Sequence, residues 1–275
     1  MSRRVRVIAA LVMAPLAIGA VLFLPTSLLA AAAAGVLMVG LWEWTMLAGM
    51  THPAARAAYL AANVALMAML AWTAGQGLGL LVAVATWGVL WWVLAIAWLT
   101  QYEFGSGGQP WARALKLAAG SLCVVPAWAA LCWLHAGAPN GPAWTLFALL
   151  IVWAADTGAY FTGVRFGRRK LAPRISPGKS WEGVAGGFGA TLLLALAAVP
   201  VLGIGWNRAG ELLLLTAVAG LVSVAGDLFE SLVKRHAGAK DSSNLIPGHG
   251  GVLDRVDSLL AALPVFAVGK HWLGL

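Results

Sequence analysis

Nine apolar stretches follow one another along the 275-residue chain, and each is long enough to cross a membrane. A transmembrane α-helix needs about 20 mostly apolar residues. Hydrophobic residues make up 61% of the chain and charged residues only 10%, whereas soluble domains carry far more charge. The sequence therefore predicts an all-α, polytopic membrane protein with about nine transmembrane helices. The predicted spans are 6–24, 27–48, 57–74, 78–99, 114–135, 143–163, 181–203, 210–230 and 252–272.

The distribution of basic residues predicts the orientation of these helices. With the N-terminus in the cytoplasm and alternating spans, 16 of the 18 Lys and Arg residues fall on the cytoplasmic side, and only Arg208 and Lys270 fall outside. Because cytoplasmic loops collect Lys and Arg, this asymmetry favours a cytoplasmic N-terminus and an outside C-terminus. It also accounts for the net charge of +8, since no basic helix with interleaved aromatic residues indicates nucleic-acid binding.

The first apolar stretch follows the basic sequence MSRRVRV and so resembles a secretory signal peptide. It is long enough to span a membrane, and the charge asymmetry holds with it retained, so we expect a transmembrane helix here. We expect one integral membrane domain over 1–275, because no stretch long enough to form a soluble domain is free of membrane-like segments.

Half of the chain's 10 acidic residues lie in one polar stretch, 226–258, which is flanked by apolar segments. On helices, Asp227 and Glu230 would share one face, and Asp254 and Asp257 would share another. Two helix ends would therefore present carboxylates beside one loop. Carboxylates at membrane depth are costly and mark functional sites, and their oxygen atoms suit Mg²⁺, which shares its coordination with water and phosphate oxygens. The remaining acid of the stretch is Asp241.

A structural explanation of these acids stays open at this point. Asp254 and Asp257 would favour a helix N-terminus electrostatically without binding any ligand, and Asp227 could pair with a nearby arginine. Asp156, in the sixth predicted helix, could support the same site. Glu43, in the second predicted helix, is equally consistent with a structural hydrogen-bond partner.

The glycine-rich sequence PGHGG, at 247–251, precedes the ninth predicted helix and favours an anion site. Glycines let backbone N–H groups approach an anion, and a helix N-terminus adds a positive end. His249 is consistent with a phosphate contact or an acid–base group, and equally with a structural histidine. Lys179 lies in another inner loop on the same predicted side. The basic residues near the glycines in sequence are Lys234, Arg235, Lys240 and Arg255.

Three sequence segments carry a resemblance to a known family. Ser231-Leu-Val-Lys234-Arg235, Lys240-Asp241 and Pro247-Gly-His249-Gly-Gly251-Val-Leu-Asp254-Arg255-Val-Asp257-Ser258 resemble the signature of the phosphatidate cytidylyltransferase (CDP-diacylglycerol synthase) family. The segment 156–183 is similar to that family as well, with Ser180 at a position where threonine is more usual. The resemblance is strong over 153–258, whereas the first five predicted helices match only in hydropathy and around Glu43.

The resemblance implies transfer of the cytidylyl group from CTP to phosphatidate, with release of pyrophosphate and CDP-diacylglycerol. It implies dependence on Mg²⁺, with Asp227 and Asp254 as the metal ligands and K⁺ as a second ion. The catalytic residues that it implies are Asp227, Asp254, Asp257, Lys234 and Arg235, supported by Asp156 and Glu230. The residues expected to bind substrate or phosphate are Lys179, Ser180, Ser231, Lys240, Asp241, His249, Gly250, Gly251 and Arg255.

We therefore divide the single domain into scaffold helices at 1–140 and catalytic helices at 143–275, with cytoplasmic loops 164–180 and 231–253. The expected partners are CTP, phosphatidate and membrane lipids, with no nucleic acid, and a homodimer is compatible with the sequence. The expected location is a bacterial inner membrane, with the active site facing the cytoplasm.

Two other functions stay open at this point. A kinase of the polyprenol type would use CTP as a phosphoryl donor to a lipid alcohol and would release CDP rather than pyrophosphate. An ion-coupled transporter would carry acidic residues in the middles of several helices. The acids of this chain cluster instead at one predicted surface, which argues against a transporter.

Overall fold

A computed structural model describes residues 3–246, 248 and 250–275, with side chains from residue 12 onward. Eight helices in this part of the chain are long and apolar enough to cross a bilayer, and Val12–Phe23 forms a shorter apolar segment of the first helix. The predicted all-α polytopic membrane fold is confirmed. The helices are α1 (Arg3–Phe23), α2 (Thr26–Leu47), α3 (Pro53–Ala74), α4 (Gly79–Leu99), α5 (Pro110–Ala136), α6 (Gly141–Phe166), α7 (Trp181–Val201), α8 (Ala209–His236) and α9 (Leu253–Leu273).

Several helices extend into polar sequence beyond their predicted spans. Helix α8 continues to His236 rather than residue 230, and its last turn carries Lys234, Arg235 and His236. Cationic side chains are favourable there because the helix C-terminus carries partial negative charge. Hydropathy alone ends a helix where the apolar run ends, so it missed this polar extension. Helix α5 likewise begins at Pro110, which is suited to a first helical turn.

An aromatic cluster lies where α8 meets α2 and α4. Phe229 of α8 lies against four tryptophan rings, with ring centroids 5.3 to 6.2 Å away. Such aromatic pairs add about 0.5–1.5 kcal/mol each beyond the burial of their surface. Because Phe229 lies between Asp227 and Glu230 in sequence, this packing fixes the rotation of α8 and hence the direction of both carboxylates. The four rings belong to Trp44, Trp91, Trp92 and Trp98.

Helices α8 and α9 pack closely at the level of the predicted site. A Cβ atom on Gly226 would lie 2.6 Å from the carbonyl oxygen of Asp257, so only glycine allows this approach. Nearer the connecting loop, the Lys234 ammonium of α8 reaches Asp254 of α9. The close crossing therefore brings the acids of the two helices together.

The two ends of the helix bundle differ in their contents. At one end, called the site end here, lie the carboxylates of Glu43, Asp227 and Asp254. At the opposite end, called the far end, Arg208 bonds the carbonyl groups of Leu273 and Gly274. Lys270, the other cation predicted to lie outside, binds the C-terminal Leu275 carbonyl oxygen at the far end. The two cations predicted to lie outside thus occupy the end opposite the site.

A short β-hairpin joins α6 to α7 and was not predicted. Its strands are β1 (Lys170–Ala172) and β2 (Ser176–Ser180), paired antiparallel with Lys170 opposite Ser180. Arg174 at the turn forms an ion pair with Glu103 and lies over the Tyr102 ring, both in the α4–α5 loop. The hairpin is thereby anchored at the site end, which holds β2 and its Lys179 beside α8.

Candidate active site

Asp227 of α8 is half-buried and points toward the hairpin. One of its oxygens lies 2.6 Å from the Lys179 ammonium, and the other accepts a hydrogen bond of 3.2 Å from the Ser231 hydroxyl one turn along α8. Lys179 is supplied by β2, whose last residue, Ser180, accepts a hydrogen bond from Gly183 N–H and so caps α7. The hairpin and the cap together set the reach of Lys179.

Asp254, in the first turn of α9, is surrounded by donors. Its Oδ1 accepts a 2.6 Å bond from the Lys234 ammonium. Its Oδ2 accepts from the Ser242 N–H and hydroxyl, at 3.0 and 2.9 Å, and from the Gly251 N–H at 2.8 Å. Asp254 therefore binds the loop between α8 and α9 with one oxygen and a cation with the other.

Glu230 is the least satisfied acid of the site. Its side chain is 2% exposed, and neither carboxylate oxygen has a hydrogen-bond partner among the described residues. The Lys234 ammonium lies 3.3 Å from Oε1 of Glu230, and the backbone of Asp257 in α9 packs against α8 at Gly226. A buried carboxylate without donors is unfavourable unless a cation compensates it. Asp227, Glu230 and Asp257 thus form an acidic cluster. Together with Asp254 they outnumber the two ammonium groups that pair with them, those of Lys179 and Lys234.

A cleft of about 410 Å³ runs between α6, α7 and α8. Asp156, Lys179 and Asp227 line its polar part, and Asp156 is exposed to the cleft rather than buried inside the bundle. Most of the remaining lining is apolar and includes Val184 and Val224. Three further lining residues are exposed on the outer surface of transmembrane helices, so the cleft opens toward the region that lipid would occupy. They are Tyr160, Phe188 and Leu221.

The structure does not bring every predicted residue to these carboxylates. Arg235 bonds the carbonyl oxygens of Ile175 and Ala239 at 3.0 and 3.1 Å, so it ties the hairpin to the end of α8. The side chains of Lys240, Asp241 and Arg255 are exposed and make no hydrogen bond or ion pair within the described part of the chain. Their assignment to substrate phosphates stays a prediction.

The glycine-rich loop is described in part. His249 lies outside the described residues, and so does Pro247. Gly250 adopts φ +80°, in the region that favours glycine, and its carbonyl oxygen accepts a 2.8 Å bond from Ile246 N–H. Gly251 N–H is already engaged by Asp254, so in this arrangement it stabilises the loop rather than facing an open anion site.

The assignment of Asp227 and Asp254 as magnesium ligands stays a prediction. Each presents one oxygen to an ammonium group at 2.6 Å, so each already contacts a cationic side chain. No three His, Cys, Asp or Glu side chains of the described residues converge as a complete metal cage. Mg²⁺ is commonly held by only one or two carboxylates plus phosphate oxygens and waters, so two aspartates suffice.

Sequence reasoning left open whether Glu43 is functional or structural. Glu43 of α2 is fully buried and accepts four hydrogen bonds from the loop before α9 and from the start of that helix. In the sequence, Glu43 stands out only as a single acidic residue inside an apolar helix. That pattern is equally consistent with a functional site and with a structural hydrogen-bond partner. No sequence pattern indicated that Ser242 and Ser243 bind Glu43.

Comparisons with known proteins support the predicted family relationship. A sequence profile described as the cytidylyltransferase family matches residues 4–271. A phosphatidate cytidylyltransferase of Pseudomonas aeruginosa is 45% identical over 264 residues, which cover 95% of this chain and 94% of that protein. One from Haemophilus influenzae is 36% identical over 282 residues, covering 95% and 96%, and one from Bacillus subtilis is 44% identical over 129 residues, covering 45% and 46%. The predicted relationship is confirmed, and the chain belongs to the cytidylyltransferase family.

Proposed function

We propose that this protein transfers the cytidylyl group from CTP to phosphatidate, forming CDP-diacylglycerol and pyrophosphate. The observation that carries the proposal is the cleft between α6, α7 and α8. It joins an apolar, lipid-facing part to a polar part with Lys179 and Asp227. An acidic phospholipid has the same division between acyl chains and phosphate. The relatives named phosphatidate cytidylyltransferase, which match nearly the whole chain, support the same activity.

Phosphatidate enters the cleft with its acyl chains along the apolar wall. Its phosphate then lies near Lys179, whose ammonium group neutralises part of the phosphate charge. Val184, Phe188 and Val224 line the apolar part and exclude water from the acyl chains. Gly183 and Gly187 let α7 pack closely against α6, since a Cβ atom on Gly187 would lie 2.6 Å from the Ala155 carbonyl oxygen.

Asp227 and Asp254 would hold Mg²⁺, with K⁺ as a second cation, and carboxylate oxygens suit such hard cations. When bound, the metal neutralises charge on the transferring phosphoryl group and orients the triphosphate. The ammonium groups of Lys179 and Lys234, which lie 2.6 Å from these aspartates, would supply positive charge for the phosphate oxygens of the substrates.

The reaction is an in-line displacement at the α-phosphorus of CTP. A phosphate oxygen of phosphatidate forms the new P–O bond, and the bond from the α-phosphorus to the bridging oxygen of pyrophosphate breaks. The attacking phosphate is already an anion near neutral pH, so no side chain has to remove a proton. Lys179 and Lys234 position the reacting groups and stabilise the charge that leaves with pyrophosphate, and positioning and electrostatics supply most of the rate.

The site end faces the cytoplasm of a bacterium, and the far end faces outward. The excess of Lys and Arg in the segments at the site end supports this orientation. CTP is a cytoplasmic metabolite, so a cytoplasmic site gives it direct access, while phosphatidate arrives from the inner leaflet through the lipid-facing cleft.

The proposal is tested with purified protein, phosphatidate and Mg²⁺, with each of the four ribonucleoside triphosphates supplied in turn. Pyrophosphate release with CTP, together with a CDP-lipid product, is the expected result. Formation of CDP and a phosphorylated lipid from a lipid alcohol would instead identify the kinase. No pyrophosphate from CTP, in detergent that preserves the thermal unfolding transition, would contradict the proposed function.

A further inference from the structure

Glu43 is buried at the site end although it lies far from the predicted site in sequence. Its Oε1 accepts bonds from the Ser243 hydroxyl at 2.5 Å and from Val252 N–H at 3.1 Å. Its Oε2 accepts from the Ser242 hydroxyl at 3.0 Å and from Leu253 N–H at 2.7 Å. Glu43 therefore binds both the loop that follows α8 and the first turn of α9.

Helix α9 has no capping side chain of its own at Val252, the residue that precedes its first turn. The first N–H groups of a helix need acceptors, and a negative charge stabilises that end of the helix. Glu43 supplies both from a different helix. Its carboxylate has no cationic partner within the described residues, so these neutral donors and the helix end compensate its buried charge.

Ser242 connects Glu43 to the candidate metal ligand. Its hydroxyl lies 3.0 Å from Glu43 and 2.9 Å from Asp254, and its N–H donates to Asp254 as well. A hydroxyl carries one hydrogen, so it donates to one carboxylate at a time. Ser243 contacts Glu43 in the same way but has no contact to Asp254 among the described hydrogen bonds.

Gly251 allows the carboxylate to come this close to the backbone. A Cβ atom at that position would lie 2.5 Å from Oε1 and 2.6 Å from Oε2 of Glu43. The glycine thus has a steric role beside Glu43, in addition to the bond from its N–H to Asp254.

We infer that Glu43 is a positioning residue for the reaction, which acts by fixing the α8–α9 loop and the first turn of α9 so that Asp254 faces its cation. This inference rests on the proposed function for its catalytic consequence. Its structural part, the anchoring of Val252 and Leu253 by Glu43, stands on the hydrogen bonds alone.

The geometry requires a carboxylate rather than an amide. Each oxygen of Glu43 faces one backbone N–H, which can donate but never accept. In Glu43→Gln, whichever way the amide is turned, its NH₂ group meets the N–H of Val252 or Leu253. One bond becomes a donor–donor contact, and the negative charge at the helix end is lost.

The test compares Glu43→Gln with Glu211→Gln, the same substitution at the far end, by hydrogen–deuterium exchange and by kinetics. We expect exchange of the Val252 and Leu253 amides to rise about tenfold or more in Glu43→Gln, because hydrogen bonds to a charged group are lost. Exchange in the hairpin should stay unchanged. The Mg²⁺ concentration for half-maximal activity should rise about tenfold, while the KM for phosphatidate stays near that of the wild type.

A purely structural role would lower the active fraction without moving the Mg²⁺ dependence. Unchanged exchange at 252–253 in Glu43→Gln overturns the inference whether or not the protein is active, because exchange needs no turnover. Wild-type protein that makes no CDP-lipid refutes the proposed function and with it the catalytic part of the inference. Raised exchange with a normal Mg²⁺ dependence in an active enzyme refutes the catalytic part alone.

A second pair of variants decides the question if Glu43→Gln fails to fold. Ser242→Ala and Ser243→Ala each remove one hydroxyl from Glu43, but only the first also breaks the contact to Asp254. The inference predicts that Ser242→Ala shifts the Mg²⁺ dependence about threefold or more beyond Ser243→Ala. Equal shifts in the two variants would contradict it.

Discussion

Charged residues are paired differently at the two ends of the helix bundle. At the far end, Arg208 forms an ion pair with Glu211 and bonds the Leu273 carbonyl oxygen at the end of α9. Lys270 bonds the carbonyl oxygen of the C-terminal Leu275. At the site end, only two ammonium groups, those of Lys179 and Lys234, pair with the four carboxylates of Asp227, Glu230, Asp254 and Asp257. Both Glu230 oxygens lack a hydrogen bond among the described residues. The paired charges at the far end stabilise the fold. The incompletely paired charges at the site end remain able to bind cations and phosphates.

The largest expected effect is the loss of a carboxylate at the site end. Asp227→Asn and Asp254→Asn should each lower kcat about 10³-fold or more, since each removes a charge that holds the metal. Glu211→Gln at the far end should leave kcat unchanged. Steady-state pyrophosphate release from purified variants with matched thermal unfolding transitions measures this. Near-normal activity of either Asn variant would contradict the metal assignment.

Lys179→Ala should have the next largest effect. Removal of the ammonium group from the polar part of the cleft should lower kcat/KM for phosphatidate about 10²-fold, because a charge-assisted contact to the phosphate is lost. Lys170→Ala, in the other strand of the same hairpin and exposed, is the matched control. Initial rates over a range of phosphatidate concentrations give the comparison. Equal rates for the two variants would show that Lys179 does not bind the phosphate of phosphatidate.

A smaller effect is expected from filling the apolar part of the cleft. Val224→Trp should raise the KM for long-chain phosphatidate about tenfold while affecting a short-chain analogue less, because the added ring occupies the space of an acyl chain. Val218→Trp, at an exposed position on the same helix, is the control. Identical KM values for both variants would show that the lipid does not use this cleft.

The smallest effect is expected at the far end. Arg208→Ala should lower the stability by less than about 1 kcal/mol, because the ion pair to Glu211 is partly exposed and screened. Its kcat should equal that of the wild type. Thermal unfolding with a parallel activity assay tests both statements. A large loss of kcat would contradict the claim that only the site end contributes to the reaction.

The fold was predictable because a membrane forces long apolar runs into helices. Runs of that kind mark each helix, and errors arose at polar ends such as Lys234–His236, where the helix continues for electrostatic reasons. The hairpin at 170–180 was not predicted, because its strands are short and amphipathic patterning is absent from a sequence such as SPGKS.

The candidate site was predictable only in part. The spacing of Asp227, Glu230, Asp254 and Asp257 placed their carboxylates on two helix faces, and the structure brings those faces together. No local pattern could show that Asp254 binds Lys234, that Ser180 caps α7, or that Glu43 binds residues about 200 positions away. Such contacts depend on how the helices pack, which spacing along one helix does not encode.

The fate of the phosphorus atoms of CTP tests the central claim most directly. Purified protein is incubated with phosphatidate, Mg²⁺ and CTP that is labelled at either the α- or the γ-phosphorus, and the lipid fraction is then extracted and counted. Cytidylyl transfer predicts that the α-label appears in the lipid and the γ-label appears in free pyrophosphate. A γ-label in the lipid, or no label in the lipid from either CTP, would contradict the account.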